Sequence, residues 1–282
     1  MEMKLDCLPC NLQQILEASR LATDEADKQE KIMCEAVQLI ADYKRFGKPP
    51  VLGRELHQLL VKHTGVLDPY KEIKQKNIEE SLKILPQLQD FLSRKENKLY
   101  WALKIAATGN IIDLGVYSDV DVEQSVMEEL GREFAVCHVD KLKEDLKSAK
   151  SVLIIGDNAG ETVFDRILIS VLGELDIFYA VRSEPIINDA TIEDALASGL
   201  EECATLISTG CNAPGTILSE CSEEFLDIYH KADIVISKGQ GNFESLIEEQ
   251  RRIFFLLKAK CPVNADLLGV NLNDYVFMWN GN

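Results

Sequence analysis

The stretch Ser151-Val-Leu-Ile-Ile-Gly-Asp-Asn-Ala-Gly-Glu161 decides the fold. Val152 to Ile155 is an unbroken apolar run, the pattern of a strand covered on both faces. Gly156 ends the run, and Asp157, Asn158, Ala159 and Gly160 form a short polar loop. From Glu161 to Leu172 the pattern becomes helical, with Val163, Ile167 and Val171 every four residues and Phe164 and Leu168 beside them. A carboxylate and an amide thus stand at the carboxyl end of a buried strand, just before a helix. Open α/β sheets bind ligands at that place. Backbone N–H groups at a helix start attract anions, and carboxylate oxygens attract hard cations. Asp and Asn are also ordinary turn and cap residues, so the loop alone leaves both readings open.

Downstream of Lys150 the same alternation repeats. Strands are predicted at Val152–Ile155, Ile177–Val181, Ala204–Ser208, Ile234–Ser237 and Ile253–Leu257, with a last candidate at Tyr275–Trp279. Helical segments separate them, which predicts an α/β fold with a doubly wound, mostly parallel sheet and helices on both faces. Upstream, residues 1 to 150 read as mainly helical. Amphipathic stripes run over Cys10–Ala22, Gln29–Tyr43, Leu52–Lys62 and Lys71–Leu92, the last with a kink or break expected at Pro86. Leu99–Ala107 is an apolar helix, and residues 119 to 149 are acidic and helical in pattern. The division is therefore a helical N-terminal region, 1–150, that packs on the site, and a Rossmann-like α/β domain, 151–282.

A parallel sheet gathers its strand ends on one edge. Asp157, Asn158 and Glu161 follow the first strand, and Arg182 and Asp189 follow the second. Thr209-Gly-Cys-Asn-Ala-Pro-Gly215 follows the third, and Lys238-Gly-Gln-Gly-Asn-Phe-Glu244 the fourth. Carboxylate and amide oxygens suit Mg²⁺- or Mn²⁺-type ions. Arg182 and Lys238 can neutralise phosphate oxygens, and Gly239 and Gly241 let backbone N–H groups approach an anion. A metal with flanking cations serves phosphoryl transfer to water. In the apolar helix's wake, Gly109-Asn-Ile-Ile-Asp113 offers Asn110 and Asp113, or simply ends the helix.

Composition narrows the partners. The chain has 282 residues, 46% of them apolar, and a formal net charge of −17. That acidity argues against a nucleic acid or an anionic membrane as partner, and no apolar run is long enough to span a bilayer. The N-terminus lacks the apolar core of a signal peptide, so a cytoplasmic location is expected. The eight cysteines are then expected to be free thiols. Cys7-Leu-Pro-Cys10 is the one close pair. It reads as small buried hydrophobes, as a second, structural metal site completed by a distant residue such as Cys261, or as a redox pair. His57 and His63, six residues apart, do not share a helix face, and Asp68 reads as a cap for the helix that Pro69 begins. No Gly-x-x-x-x-Gly-Lys-Ser/Thr loop, no Gly-x-Gly-x-x-Gly after the first strand and no Gly-x-Ser-x-Gly elbow occurs.

Together, Gly-Asp-Asn-Ala-Gly-Glu161, Pro-Ile-Ile-Asn-Asp-Ala-Thr191, Lys-Gly-Gln-Gly-Asn-Phe-Glu244 and Gly-Asn-Ile-Ile-Asp113 resemble the family first catalogued as domain of unknown function 89. Its members are regarded as metal-dependent damage-control phosphatases. Asp-Cys-Leu-Pro-Cys10, Pro-Pro-Val-Leu-Gly-Arg54, Thr-Gly-Val-Leu-Asp-Pro-Tyr70 and Lys-Cys-Pro-Val263 look like its stand-alone prokaryotic branch. The resemblance covers nearly the whole chain. It implies a divalent metal (manganese, cobalt, nickel or magnesium) held by Asp157, Asn158 and Asp189. It implies a phosphate contacted by Lys238 and Asn110, with Arg182 and Asp113 beside it; from the loop chemistry, Gly239 and Glu161 are expected around the same phosphate. The substrate it implies is a small phosphorylated, damaged metabolite; family branches are associated with sugar phosphates and with phosphopantetheine. Lys-Gly-Gln-Gly-Asn242 departs from the Lys-Gly-Asp-Leu-Asn of the eukaryotic sugar-phosphate branch. Two other readings stand beside the phosphatase: an S-adenosylmethionine-dependent carboxyl methyltransferase and a non-catalytic metabolite-binding protein. The methyltransferase wants an acid for the ribose after the second strand, where Arg182 stands.

Overall fold

The structure, a computed structural model, describes residues 1–109 and 122–281. Seven strands form one sheet. They are β1 (Phe134–Cys137), β2 (Ser151–Ile155), β3 (Asp176–Val181), β4 (Thr205–Ser208), β5 (Ile234–Lys238), β6 (Phe254–Lys258) and β7 (Tyr275–Trp279). Their order is β1-β7-β6-β5-β2-β3-β4. Every neighbouring pair is parallel except β6 with β7. The six strands expected from sequence are present within a residue or so of their predicted ends. β1 was not expected: the sequence reads residues 119–149 as helical. It is a four-residue edge strand with only Phe134 buried, so its apolar run, Phe134 to Cys137, is shorter than those of the central strands.

Twelve α-helices accompany the sheet among the described residues. On one face lie α4 (Lys71–Ser93), α5 (Lys98–Thr108), α6 (Val122–Leu130), α7 (Val139–Leu146), α8 (Glu161–Ile169) and α9 (Ile192–Ala197). On the other lie α10 (Glu223–Lys231) and α11 (Gln240–Leu246), with α12 (Pro262–Leu268) at the margin. The alternation along β2 explains the two layers. Val152 and Ile154 point into the first core, and Leu153 and Ile155 into the second. Because β2 has both faces covered, all four are fully buried, which is why the run shows no polar alternation. The helix after β2 packs on one face and the helix after β5 on the other. The neighbours β2 and β5 therefore flank a topological switch point, where the two loops part and leave a crevice.

A third hydrophobic cluster belongs to α1 (Cys7–Ala22), α2 (Ala26–Ala41) and α3 (Pro49–Thr64). Pro49 and Pro50 start α3, where their missing N–H groups cost nothing. Gly65, in the left-handed region at φ +73°, ends it. Asp68 caps the next turn by accepting from Tyr70 N at 3.1 Å, and its other oxygen ion-pairs with buried Lys74 at 2.7 Å. α4 runs on through Pro86 instead of breaking there, held by Ile84, Leu85, Leu88 and Leu92, all buried in the core that α4 shares with α5 and α8. In α5 the side chain of Lys104 is fully buried, and its Nζ has no hydrogen-bond partner among the described residues. It lies 4.1 Å from the ring centroid of Tyr275 and 5.0 Å from that of Phe134.

Candidate active site

The crevice between the β2 and β5 ends is shaped by bare backbone. Gly156 makes room for the Tyr179 ring: a Cβ there would lie 2.8 Å from it. Gly239, at φ +76°, lies against the Asp157 carboxylate, and a Cβ would come within 1.9 Å of Oδ2. The loop after β2 is then joined to the loop after β3 by backbone pairing. Ala190 N donates to Asp157 O at 2.8 Å, Ala159 N donates to Asn188 O at 2.9 Å, and Asn158 and Asp189 form an antiparallel bridge. This pairing places Asp189 beside Asp157 and Asn158. Ile187, two residues earlier, has φ +48°, a conformation that strains a β-branched residue.

Asp157, Asn158 and Asp189 share the wall of a cavity of about 420 Å³. Cys7, Cys10, Asn11 and Gln14 of α1 and Pro49, Pro50 and Gly53 of α3 line the same cavity. Among the described residues nothing donates a hydrogen bond to the Asp157 carboxylate. Burial, then the charges of Asp189 and Glu161, push its pKa well above the usual carboxylate value. Burial also raises Asp189, against the pull of Arg182, whose Nε donates to Oδ2 at 2.7 Å. Asn158 Nδ2 donates to Glu161 Oε1 at 2.9 Å, so the atom this amide can offer a cation is its carbonyl oxygen.

The donor set fits a divalent metal. Two carboxylates and one amide oxygen are hard ligands, and a cation would relieve the repulsion that raises Asp157. Among the described residues no three His, Cys, Asp or Glu side chains gather to hold a metal, and this set contains only two acids because its third member is Asn158.

Other expected residues sit elsewhere. Lys238 does not line the cavity. Its buried Nζ lies 2.8 Å from both Glu161 Oε2 and Asp165 Oδ1, and Tyr179 donates to Asp165 Oδ2 at 2.7 Å. Burial disfavours the Lys238 charge, but Asp165 and Glu161 outweigh it and hold the amine protonated above the ordinary lysine value. Arg182 was expected at a phosphate. It is enclosed instead, donating to Asp189, to Thr216 Oγ1 at 3.1 Å and to Asn242 Oδ1 at 3.0 Å. Gly239 was expected to offer its N–H to an anion, but that group donates to Leu256 O at 3.0 Å. Asn110 and Asp113 lie outside the described residues. Gly109, which precedes them, packs on Glu161, 2.9 Å from Cγ for an added Cβ.

Two cations on the wall were missed: Lys258, buried and 3.0 Å from Glu129 Oε2, and exposed Lys260, whose charge acts on Asp157. They stand at and after the carboxyl end of β6, the strand end left out of the sequence comparison. All eight cysteines are free thiols, and Cys7, Cys10 and Cys261 line the cavity.

Residues 3–276 match the family described as the damage-control phosphatase ARMT1-like domain. The chain belongs to this family. Among its relatives is the damage-control phosphatase PH1575 of Pyrococcus horikoshii, 38% identical over 99% of each chain. A protein of Archaeoglobus fulgidus named damage-control phosphatase is 31% identical over 96% of each chain. The crystal structure of PH1575, described as a DUF89 family protein, superposes with a TM-score of 0.92 at 36% identity and covers 100% of both chains. The ARMT1-like family thus accounts for the whole architecture, helical N-terminal part included. No helix among the described residues is long and apolar enough to cross a membrane.

Proposed function

We propose that this protein is a divalent-metal-dependent phosphatase that hydrolyses small phosphorylated metabolites at the cavity between the β2 and β5 ends. The observation that carries the reading is the buried Asp157, to whose carboxylate no described residue donates, beside Asp189 and Asn158 on the cavity wall, in a chain whose named relatives are damage-control phosphatases. Asp157, Asn158 and Asp189 hold the metal. When bound, a divalent ion supplies Lewis-acid stabilisation of the charge on the phosphoryl group. Glu161 orients the Asn158 amide, and Arg182 orients the Asp189 carboxylate. Lys260, with Lys258 deeper on the wall, balances the phosphate charge. Lys238 acts from behind, by holding Glu161 in place.

Metal-stripped protein assayed on p-nitrophenyl phosphate with Mn²⁺, Co²⁺, Ni²⁺ and Mg²⁺ tests this reading. Turnover is expected to return with at least one ion and to be lost again on chelation. No turnover with any ion, or Asp157→Ala hydrolysing as fast as wild type, ends the proposal.

A further inference from the structure

The cavity has an acid that the phosphatase reading leaves unused, besides exposed Asp6 on the same wall. Glu244, on α11, lines it, and Asn264 Nδ2 fixes one of its oxygens at 2.9 Å. The wall around it comes from other elements: Cys7, Cys10, Asn11 and Gln14 from α1, and Cys261 ahead of α12. Burial foremost, with the Glu244 charge adding to it, holds the thiols of Cys7, Cys10 and Cys261 above their ordinary value, so they are neutral near pH 7. Asn11 and Gln14 carry no charge.

The cations of the cavity belong to its other part. Lys260 acts on Asp157, and Lys258 is paired with Glu129. The charge that acts on Glu244 is the ammonium of Met1, which also donates to the Glu244 main-chain oxygen at 2.5 Å. Asp157 in turn feels Asp189, Glu161, Arg182 and Lys260 foremost. The two acids therefore occupy different stretches of one wall. One stretch carries Asp157, Asn158 and Asp189 and is flanked by cations; the other carries Glu244 and, more exposed, Asp6.

A substrate whose phosphate lies at Asp157, Asn158 and Asp189 turns its organic part toward the Glu244 stretch. We propose that Glu244 is a specificity residue that rejects phosphomonoesters whose organic part bears a second anionic group and admits those whose organic part is neutral and hydrogen-bonding. The proposal rests on the phosphatase reading above. A carboxylate or second phosphate brought against Glu244 meets a like charge in a partly dry cavity, which is strongly disfavoured. Specificity by repulsion needs only this one misplaced charge. Burial raises Glu244 to about 7, with Asn264 opposing, so it is mainly ionised at pH 8.

The test uses two matched six-carbon phosphates, sorbitol 6-phosphate and 6-phosphogluconate, which differ at the far carbon by a hydroxymethyl in place of a carboxylate. Both are measured at pH 8 as competitors of p-nitrophenyl phosphate hydrolysis by the metal-loaded protein. Wild type is expected to bind sorbitol 6-phosphate at least about tenfold more tightly, by the like-charge argument. Glu244→Gln is expected to tighten 6-phosphogluconate about tenfold and to leave sorbitol 6-phosphate within about threefold. A gain of binding cannot come from a misfolded variant. Equal inhibition of wild type by the two compounds, no inhibition by sorbitol 6-phosphate, or an unchanged ratio in Glu244→Gln overturns the proposal. The wild-type comparison decides even where the variant does not fold. Absence of p-nitrophenyl phosphate turnover would instead strike the phosphatase reading itself.

Discussion

Two pairs of buried acids lie within one loop and helix of each other and are treated in opposite ways. Glu161 and Asp165, on the first turns of α8, face Lys238, and each has an oxygen 2.8 Å from its Nζ. Asp157 and Asp189 face the cavity; Arg182 holds one of them, and no described residue donates to the carboxylate of the other. The first pair shares one cation, Lys238, which reaches both acids. The second also has one cation, but Arg182 reaches Asp189 alone, and no described residue donates to the Asp157 carboxylate. A cation that bridges two acids ties the frame together, and a cation that reaches one acid leaves the other turned to the cavity.

Removing the internal cation should do most damage. Lys238→Met strands two buried acids, and a loss of about 3–5 kcal/mol in urea unfolding is expected. Adding Asp165→Asn to Lys238→Met should recover part of it, since the two sites share one network. A wild-type-like Lys238→Met would show that the first pair is not held by charge at all. The second pair should respond the other way. Asp157→Asn removes an uncompensated charge, so its melting temperature should equal or exceed that of wild type, while turnover falls on the order of 10²–10³-fold. A variant that melts lower would erase the contrast between the pairs. Arg182→Lys keeps the charge but loses the fork that reaches Asp189, Thr216 and Asn242 together. Metal affinity, read by calorimetric titration, should fall about 10–100-fold.

Lys104 sharpens the contrast from a third position, as a buried cation with no acid in hydrogen-bond reach among the described residues. Burial foremost, with Arg132 and Lys258 adding and Glu129 opposing, lowers it from 10.5 to about 8. Between those two values the unfolded chain binds the proton and the folded chain does not, so stability rises with pH across that window. Urea unfolding at pH 7.5 and 9.5 should show wild type gaining about 1–3 kcal/mol relative to Lys104→Met. A constant difference would mean that the Tyr275 and Phe134 rings sustain the charge.

The contrast also marks the limit of what the residues alone disclose. The central strands β2, β3, β5 and β6 are legible because their buried residues make long apolar runs; β1, an edge strand of four residues, has a run too short to stand out from the charged residues around it. Asp157, Asn158 and Asp189 are legible because topology places every parallel strand end on one edge. Lys238 and Arg182 stand on that edge too, but their sequence positions give their charge and not their partners. The partners are acids on α8 for the one and Asp189, Thr216 and Asn242 for the other. Extending the list of strand ends by one, to Lys258-Ala-Lys260, would have found the two cations on the cavity wall.

Gly239 sets the evolutionary terrain around this site. Most positions of a protein lie on gentle slopes, where a substitution alters activity a little and neighbours can adjust. At position 239 the smallest possible side chain already overlaps the Asp157 carboxylate, on a backbone turned to φ +76°. Descendants of this chain can vary the organic end of the cavity step by step, but at the strand end they meet a cliff. In a saturation library selected for turnover, position 239 should therefore return a single letter while Gln240, its neighbour, drifts.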